Sequence, residues 1–330
     1  CGGRRQELST GTTRSSRPPP KIGGALGSGG ARGWAHLGVL RRLSGLGTRP
    51  ACIAGTSIGA IAAALYATGT VATMEDLATH LDWKRVAQLF FEVNFPRSGL
   101  LSGKNFIHLL KDIMPIHQID DLDLPFAAVA TDLESESEVV LKSGNLFEAI
   151  RASIAIPGIF TPMRLHGRNL VDGGLVNPLP VTVCRAMGAD LVIAVDINLR
   201  ASPNRRKPVR RATAHPPPSP AIDKLLASAS KLVPQLQSSM EEAARRWQAP
   251  RRSDADALSI FDVLTRSFRL VENQITRREL DLTPPDVLIQ PEVGDIMTLE
   301  FHRGPEAIAA GVRAVDEARP QLEQHLSLNS

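Results

Sequence analysis

Negative charge is missing from a long early part of this chain: no Asp or Glu lies between Glu7 and Glu75. That gap removes the acid that a dinucleotide fold places about twenty residues after its glycine loop, and so argues against a nicotinamide site. Aromatic residues are scarce, at 4% of 330 residues, while alanine and the aliphatics carry the 43% hydrophobic content. This is the composition of α/β layers rather than of a β sandwich. The three cysteines, Cys1, Cys52 and Cys184, include no C-x-x-C pair, so zinc and thioredoxin-like chemistry have no support. Cys52 and Cys184 sit in apolar stretches and read as small core residues. No carboxylate or histidine cluster has ligand spacing, so no metal or other cofactor is expected. No secretory h-region or membrane span is present. The uncharged stretch from Pro50 to Met74 could cross a bilayer on length alone, but five glycines and threonines within Gly55–Gly69 break it.

The formal net charge is only +4, yet Arg200, Arg205, Arg206, Lys207, Arg210 and Arg211 fall together with no acid among them. The run reads either as a solvated loop or as a docking patch for an anionic membrane surface. It is broken by proline and lacks interleaved aromatics, so nucleic acid is not expected as a partner. Cys1-Gly2-Gly3 opens a polar tail. A bacterial lipoprotein begins this way once its signal peptide is cleaved and its cysteine carries diacylglycerol. Residues 1–20 would then tether a catalytic domain over 21–330 to the bacterial cell envelope. If Cys1 is instead an arbitrary start, a cytoplasmic protein at the membrane periphery is expected.

What the chain does contain is a G-x-S-x-G pentapeptide, Gly55-Thr56-Ser57-Ile58-Gly59, with apolar residues on both sides. It reads as a buried strand that stops at a serine on a sharp turn and leaves as a buried helix, the glycines admitting the crowded neighbours. Two dozen residues upstream, a strand from Lys21 to Leu26 runs into Gly27-Ser28-Gly29-Gly30-Ala31-Arg32-Gly33. A helix follows with Trp34, Leu37, Leu40 and Leu43 on one face. Free N–H groups and the positive helix end make that loop a place for negative charge. Its spacing fits neither G-x-G-x-x-G nor a P-loop, and an oxyanion formed by serine attack on an ester fits better.

Further strands are expected at Pro125–Thr131, Glu138–Leu141, Leu191–Val195 and Asp286–Gln290, with helices at Asn145–Ala155 and Pro305–Leu322. The alternation indicates an α/β fold, three layers with a mostly parallel central sheet flanked by helices. Between about 200 and 280 a proline-rich loop and two amphipathic helices interrupt it. One carries Leu225, Leu226, Leu232 and Leu236, the other Leu258, Phe261, Leu264, Phe268, Val271 and Ile275. These stripes are expected to pack on the core, with a lid or membrane-facing element as the alternative. Leu89-Phe90-Phe91, Phe95 and Leu100-Leu101 are core plugs or the lining of an acyl pocket.

Ser57 needs a base. None of the eight histidines lies on a strand-end glycine turn of the expected kind, and His36, on the helix after the glycine loop, reads as structural. Asp172, before Gly173-Gly174 at the end of a strand where α/β sites collect, is placed to act directly.

Gly27–Gly33, Gly55–Gly59, Ala152-Ser153-Ile154-Ala155-Ile156-Pro157-Gly158-Ile159-Phe160 and Asp172-Gly173-Gly174 occur in this order. Together they resemble the patatin family of phospholipases over about residues 21–200. The likeness is to the bacterial patatin-like branch, which is similar to the catalytic domain of neuropathy target esterase. The resemblance implies a Ser57–Asp172 dyad without histidine, and an oxyanion hole of Gly29 and Gly30 N–H groups with Arg32 holding the loop. It implies a phospholipid or lysophospholipid substrate cleaved through an acyl-enzyme. One departure is Ser28, which stands where the family's glycine triplet begins: it is strained if that place needs a glycine-only angle, harmless if it faces solvent. The same dyad would serve an acyltransferase or thioesterase. A catalytically silent, membrane-tethered lipid-binding protein is the alternative from another class, although Ser57, Asp172 and Arg32 are all present.

Overall fold

The computed structural model describes residues 20–81, 101–198 and 260–327. Most of the tether, Leu89 to Phe95, Leu100, the basic run, the stripe from Leu225 to Leu236, and Leu258 lie outside the described residues.

Eight strands form one sheet: β1 (Ile22–Leu26), β2 (Cys52–Thr56), β3 (Phe126–Asp132), β4 (Ser137–Leu141), β5 (Met163–Leu165), β6 (Arg168–Asp172), β7 (Leu191–Val195) and β8 (Val287–Ile289). Their order is β5-β6-β3-β2-β1-β7-β8, with β4 pairing β3 off that path. The section from β3 to β8 is parallel. β4 and β6 both run antiparallel to β3, and β5 antiparallel to β6. The sheet is thus mixed, parallel through its centre and antiparallel at one side.

The central strands are apolar without a break because both their faces are covered. Leu26, Ile53, Ala128 and Val195 point into one core, among the helices α1 (Trp34–Gly45), α2 (Ile58–Ala67), α3 (Val71–His80), α4 (Lys104–Ile113), α5 (Leu146–Ser153) and α8 (Gly304–Ser327). Ala25, Ala54, Val129 and Ala194, one residue out of phase, point into a second core with α6 (Val181–Ala186) and both buried cysteines. The strand period of two distributes one apolar run between two layers.

α7 (Ile260–Leu282) departs from expectation. Its stripe is only partly covered: Leu264 is 44% and Val271 38% exposed, beside exposed Val263 and Leu270, Phe268 and Ile275 are half-buried, and Glu272 (3%) and Thr276 (1%) face inward. The helix turns its polar flank to the sheet because Glu272 finds hydrogen-bond partners there, which an apolar wall would deny it.

The chain leaves β1 in one direction, through β2 to β3, and returns on its other side with β7 and β8. The β1/β7 boundary is therefore a topological switch point, where the loop after β1 opens outside the carboxyl ends of the parallel strands. That loop is the glycine-rich segment.

Candidate active site

The turn after β2 is tightly packed. A Cβ on Gly55 would stand 2.2 Å from the Gly59 carbonyl oxygen, and one on Gly59 2.2 Å from that of Leu26. Only glycine permits strand, turn and helix to approach so closely. Between them Ser57 has φ 57° and ψ −123°, a region that costs a non-glycine residue about 1–3 kcal/mol. The neighbours hold it there. Its N–H donates to Ser153 Oγ at 2.8 Å, whose hydroxyl donates in turn to the Val129 carbonyl at 2.6 Å. The Thr56 hydroxyl donates to Asn177 O at 2.7 Å.

Asp172 comes from β6, in register with Ala130 on β3, while Thr56 on β2 is in register with Val129. Ser57 and Asp172 therefore flank the same point of β3 from its two sides. Asp172 ends β6, as its place before the glycine turn predicts, and that strand runs antiparallel to β3. The outcome is a hydrogen bond of 2.5 Å from Ser57 Oγ to Asp172 Oδ2, with the serine 4% and the aspartate 0% exposed. Asp172 Oδ1 accepts the Gly174 N–H at 2.8 Å, and its backbone is fixed by Thr131 Oγ1 and Ala155 O. Gly173 lies against the Val129 carbonyl, 2.3 Å from where its Cβ would be. Burial, joined by the nearby Glu272, pushes the Asp172 carboxyl up to about 8.

The glycine loop lies alongside. Gly27 N–H donates to Val195 O and Ser28 N–H to Pro178 O, fastening the loop to the end of β7 and to the segment before α6. Gly29 (φ 158°) and Gly30 (φ 60°) carry it over the site. Among the described residues neither of their N–H groups is taken by a protein acceptor, whereas that of Ala31 bonds Thr298 O. Gly33 lets Ile58 lie against the backbone, 2.0 Å from its missing Cβ. Ser28 is neither strained nor solvent-facing: its φ is negative, it is fully buried, and its hydroxyl accepts from Asn198 Nδ2 at 3.1 Å. Arg32 is 1% exposed and donates to Ile296 O at 3.1 Å and Asn198 Oδ1 at 2.8 Å. Burial and Arg269 together hold its guanidinium down at about 10. His36 is structural: its Nε2 bonds Gly27 O at 2.8 Å, and burial drives it down to about 4.

Gly29, Gly30, Arg32 and Ser57 line a recess of about 310 Å³ with Ile156, Thr265, Phe268, Arg269, Glu272 and Thr298. No histidine is among these described lining residues. Sequence reasoning singled out the serine, the aspartate and the loop, and the structure brings them together. It gave no part to Ser153, Asn198 or Glu272. Asn198 had a signal, since Asp196-Ile197-Asn198 directly follows the most apolar strand, at the carboxyl edge where sites collect. Glu272 had none.

A three-layer α/β fold with a serine elbow, a glycine loop and a buried acid defines a class, and the comparisons agree. Residues 24–185 match the family model described as patatin-like phospholipase. Uncharacterized NTE family proteins of Mycobacterium tuberculosis and Mycobacterium bovis are 31% identical over 339 residues, covering 92% of this chain and 92% of theirs. The chain belongs to the patatin-like phospholipase family, on its NTE side. The human patatin-like phospholipase domain-containing protein 6 is 35% identical over 178 residues, 52% of this chain but 13% of that protein. The fold is also similar to VipD from Legionella pneumophila, with TM-score 0.55 and 16% identity over 94% of this chain and 68% of that one. Family membership supports lipid hydrolase activity in general terms.

Proposed function

We propose that the protein is a serine lipid acyl hydrolase of phospholipase A or lysophospholipase type, with Ser57 as nucleophile and Asp172 as the general base. The observation that carries this reading is the 2.5 Å hydrogen bond between the two side chains at a strained, buried elbow. Asp172 takes the Ser57 proton as Oγ attacks the ester carbonyl. The tetrahedral oxyanion is received by the Gly29 and Gly30 N–H groups, where loss of one donor typically raises a barrier by about 3 kcal/mol. The proton passes from Asp172 to the departing alcohol. Water, deprotonated by Asp172, then attacks the acyl-enzyme, and the fatty acid leaves. Arg32 acts at one remove, holding the loop to Ile296 and Asn198 and adding positive charge.

An apolar hollow beside the elbow supports an acyl chain as the substrate's body. Trp34, Leu37, Ile61, Leu77 and Phe106 line it, and Ile58, the residue after Ser57, forms part of its wall. The exposed Val263, Leu264, Leu270 and Val271 on α7 support docking on a lipid surface, since Thr265 and Phe268 of the same helix line the recess.

The test is release of free fatty acid from phospholipid vesicles and lysophospholipid micelles, read by mass spectrometry. Ser57→Ala and Asp172→Asn should each lower the rate on the order of 10⁴-fold. Release that persists in Ser57→Ala would remove the serine from the mechanism.

A further inference from the structure

Glu272 is a buried carboxyl in the wall of the Ser57 recess for which the dyad mechanism has no use. It sits on α7, on a different element from either dyad member, and is 3% exposed. Its Oε2 accepts from Asn198 Nδ2 at 3.3 Å, and the Ser28 hydroxyl also bonds it. Asn198 in turn holds Arg32 through Oδ1 and Ser28 through Nδ2. A continuous polar chain therefore runs from Arg32 through Asn198 and Ser28 to Glu272, enclosing the loop that carries Gly29 and Gly30.

The same carboxyl also stands beside Asp172. Gly174 separates the two, and the point where its Cβ would stand is 2.5 Å from Glu272 Oε1 and 3.1 Å from Asp172 Oδ1. Two buried acids so close repel when both are ionised, so each makes the other hold its proton more tightly. The other charged groups facing Glu272 are Arg32 from the glycine loop and Arg269 from one turn earlier on α7. Asp196, after β7, acts on Arg32 rather than directly on Glu272. The two arginines draw Glu272 toward its charged form against a burial that pushes it up to about 7, and its charge is among the causes that push Asp172 up to about 8. A bare aspartate is a weak acceptor for a serine proton, and strengthening it brings acceptor and donor closer in proton affinity.

We infer that Glu272 is a positioning residue for the dyad: it clamps the oxyanion loop through Ser28 and Asn198, and its negative charge beside Asp172 strengthens Asp172 as acceptor of the Ser57 proton. The inference rests on the Ser57–Asp172 reading. It assigns one side chain to two tasks, shaping the loop and setting the pH range of the base.

The experiment is the rate of fluorophosphonate labelling of Ser57 against pH in wild type, Glu272→Gln and Glu272→Asp, with each rate scaled to that protein's own plateau. Glutamine keeps the shape and removes the charge; aspartate withdraws the charge by one methylene. The acid limb should move to lower pH in both, further in Glu272→Gln. Its scaled rate at about pH 7.5, where Glu272 carries much of its charge, should rise roughly 1.5-fold over wild type, the size a modest loss of like-charge repulsion gives. Should the glutamine variant fail to fold, the aspartate variant decides by the same comparison. A merely structural Glu272 would lower the plateaus and leave the limb in place, and that result overturns the inference. Absence of label on Ser57 in wild type is a different failure, because it removes the dyad reading and this inference with it.

Discussion

At the scale of single residues, the site is built from groups that the fold holds against their preferences. Ser57 sits at a positive φ, and Asp172 is a carboxyl fully removed from water. The folded-state value for Asp172, raised from 3.8 to about 8, fixes the sign of its linkage to stability. Its protonated form is favoured by the fold, so its contribution is complete below about pH 4 and is lost as pH climbs through about 8. Asp172→Asn, which keeps the shape without the charge, should therefore melt a few degrees above wild type at about pH 8.5, with the gap narrowing at about pH 5. A variant that melts lower than wild type at both pH values would contradict this. In kcat/KM the same ionisation sets an acid limb, with rate rising through about pH 8 as Asp172 becomes able to accept a proton. Ser57 and Asp172 were legible in the sequence because glycines punctuate both turns, and a glycine that nothing else could replace is a local signal. Asn198 and Glu272 owe their roles to partners 166 and 74 residues away, Arg32 and Asn198. No local pattern records such a meeting.

At the scale of elements, the helices divide by how faithfully their apolar periodicity reports burial. The stripe of α1 was readable, and Leu37, Leu40 and Leu43 are buried. What the stripe did not reveal is how closely α8 lies on α1. A Cβ on Gly38 would meet the Ile308 carbonyl oxygen at 2.0 Å, and one on Gly311 that of Ala35 at 2.1 Å. Gly311→Ala or Gly38→Ala must push the two backbones apart, despite alanine's better helix propensity. Each should cost about 1–3 kcal/mol in urea unfolding. An unchanged midpoint would mean that the helices have room to separate. α7 is the element whose periodicity misled. Its apolar spacing points to an inner face, with a membrane-facing element as the alternative, but a buried glutamate with partners waiting for it outweighs an apolar stripe, and the helix presents its polar flank to the site.

At the scale of the whole molecule, the α/β architecture was legible from apolar strands alternating with helices, since two covered faces leave strands without a polar alternation. The antiparallel edge was not, because a short strand such as Arg168–Asp172 carries no mark of direction, and the direction of β6 is what delivers Asp172. The turned α7 leaves Val263, Leu264, Leu270 and Val271 on the surface next to the recess. Among the described residues no helix is long and apolar enough to cross a membrane. Replacing Val263 and Leu270 together by Ser should reduce hydrolysis of phospholipid vesicles several-fold, in proportion to the apolar area withdrawn. Turnover of a short soluble ester should stay near wild type, and an equal loss on both substrates would argue that these side chains serve folding instead.

The central claim is that Ser57 is made nucleophilic by Asp172 as its base, without a histidine. It is tested most directly by fluorophosphonate labelling at about pH 8.5, with the modified peptide located by mass spectrometry in wild type, Ser57→Ala and Asp172→Asn. The account predicts label on Ser57 in wild type, none in Ser57→Ala, and a labelling rate in Asp172→Asn lower on the order of a thousandfold or more. Ser57 labelled at the wild-type rate in Asp172→Asn would contradict it and require a different base.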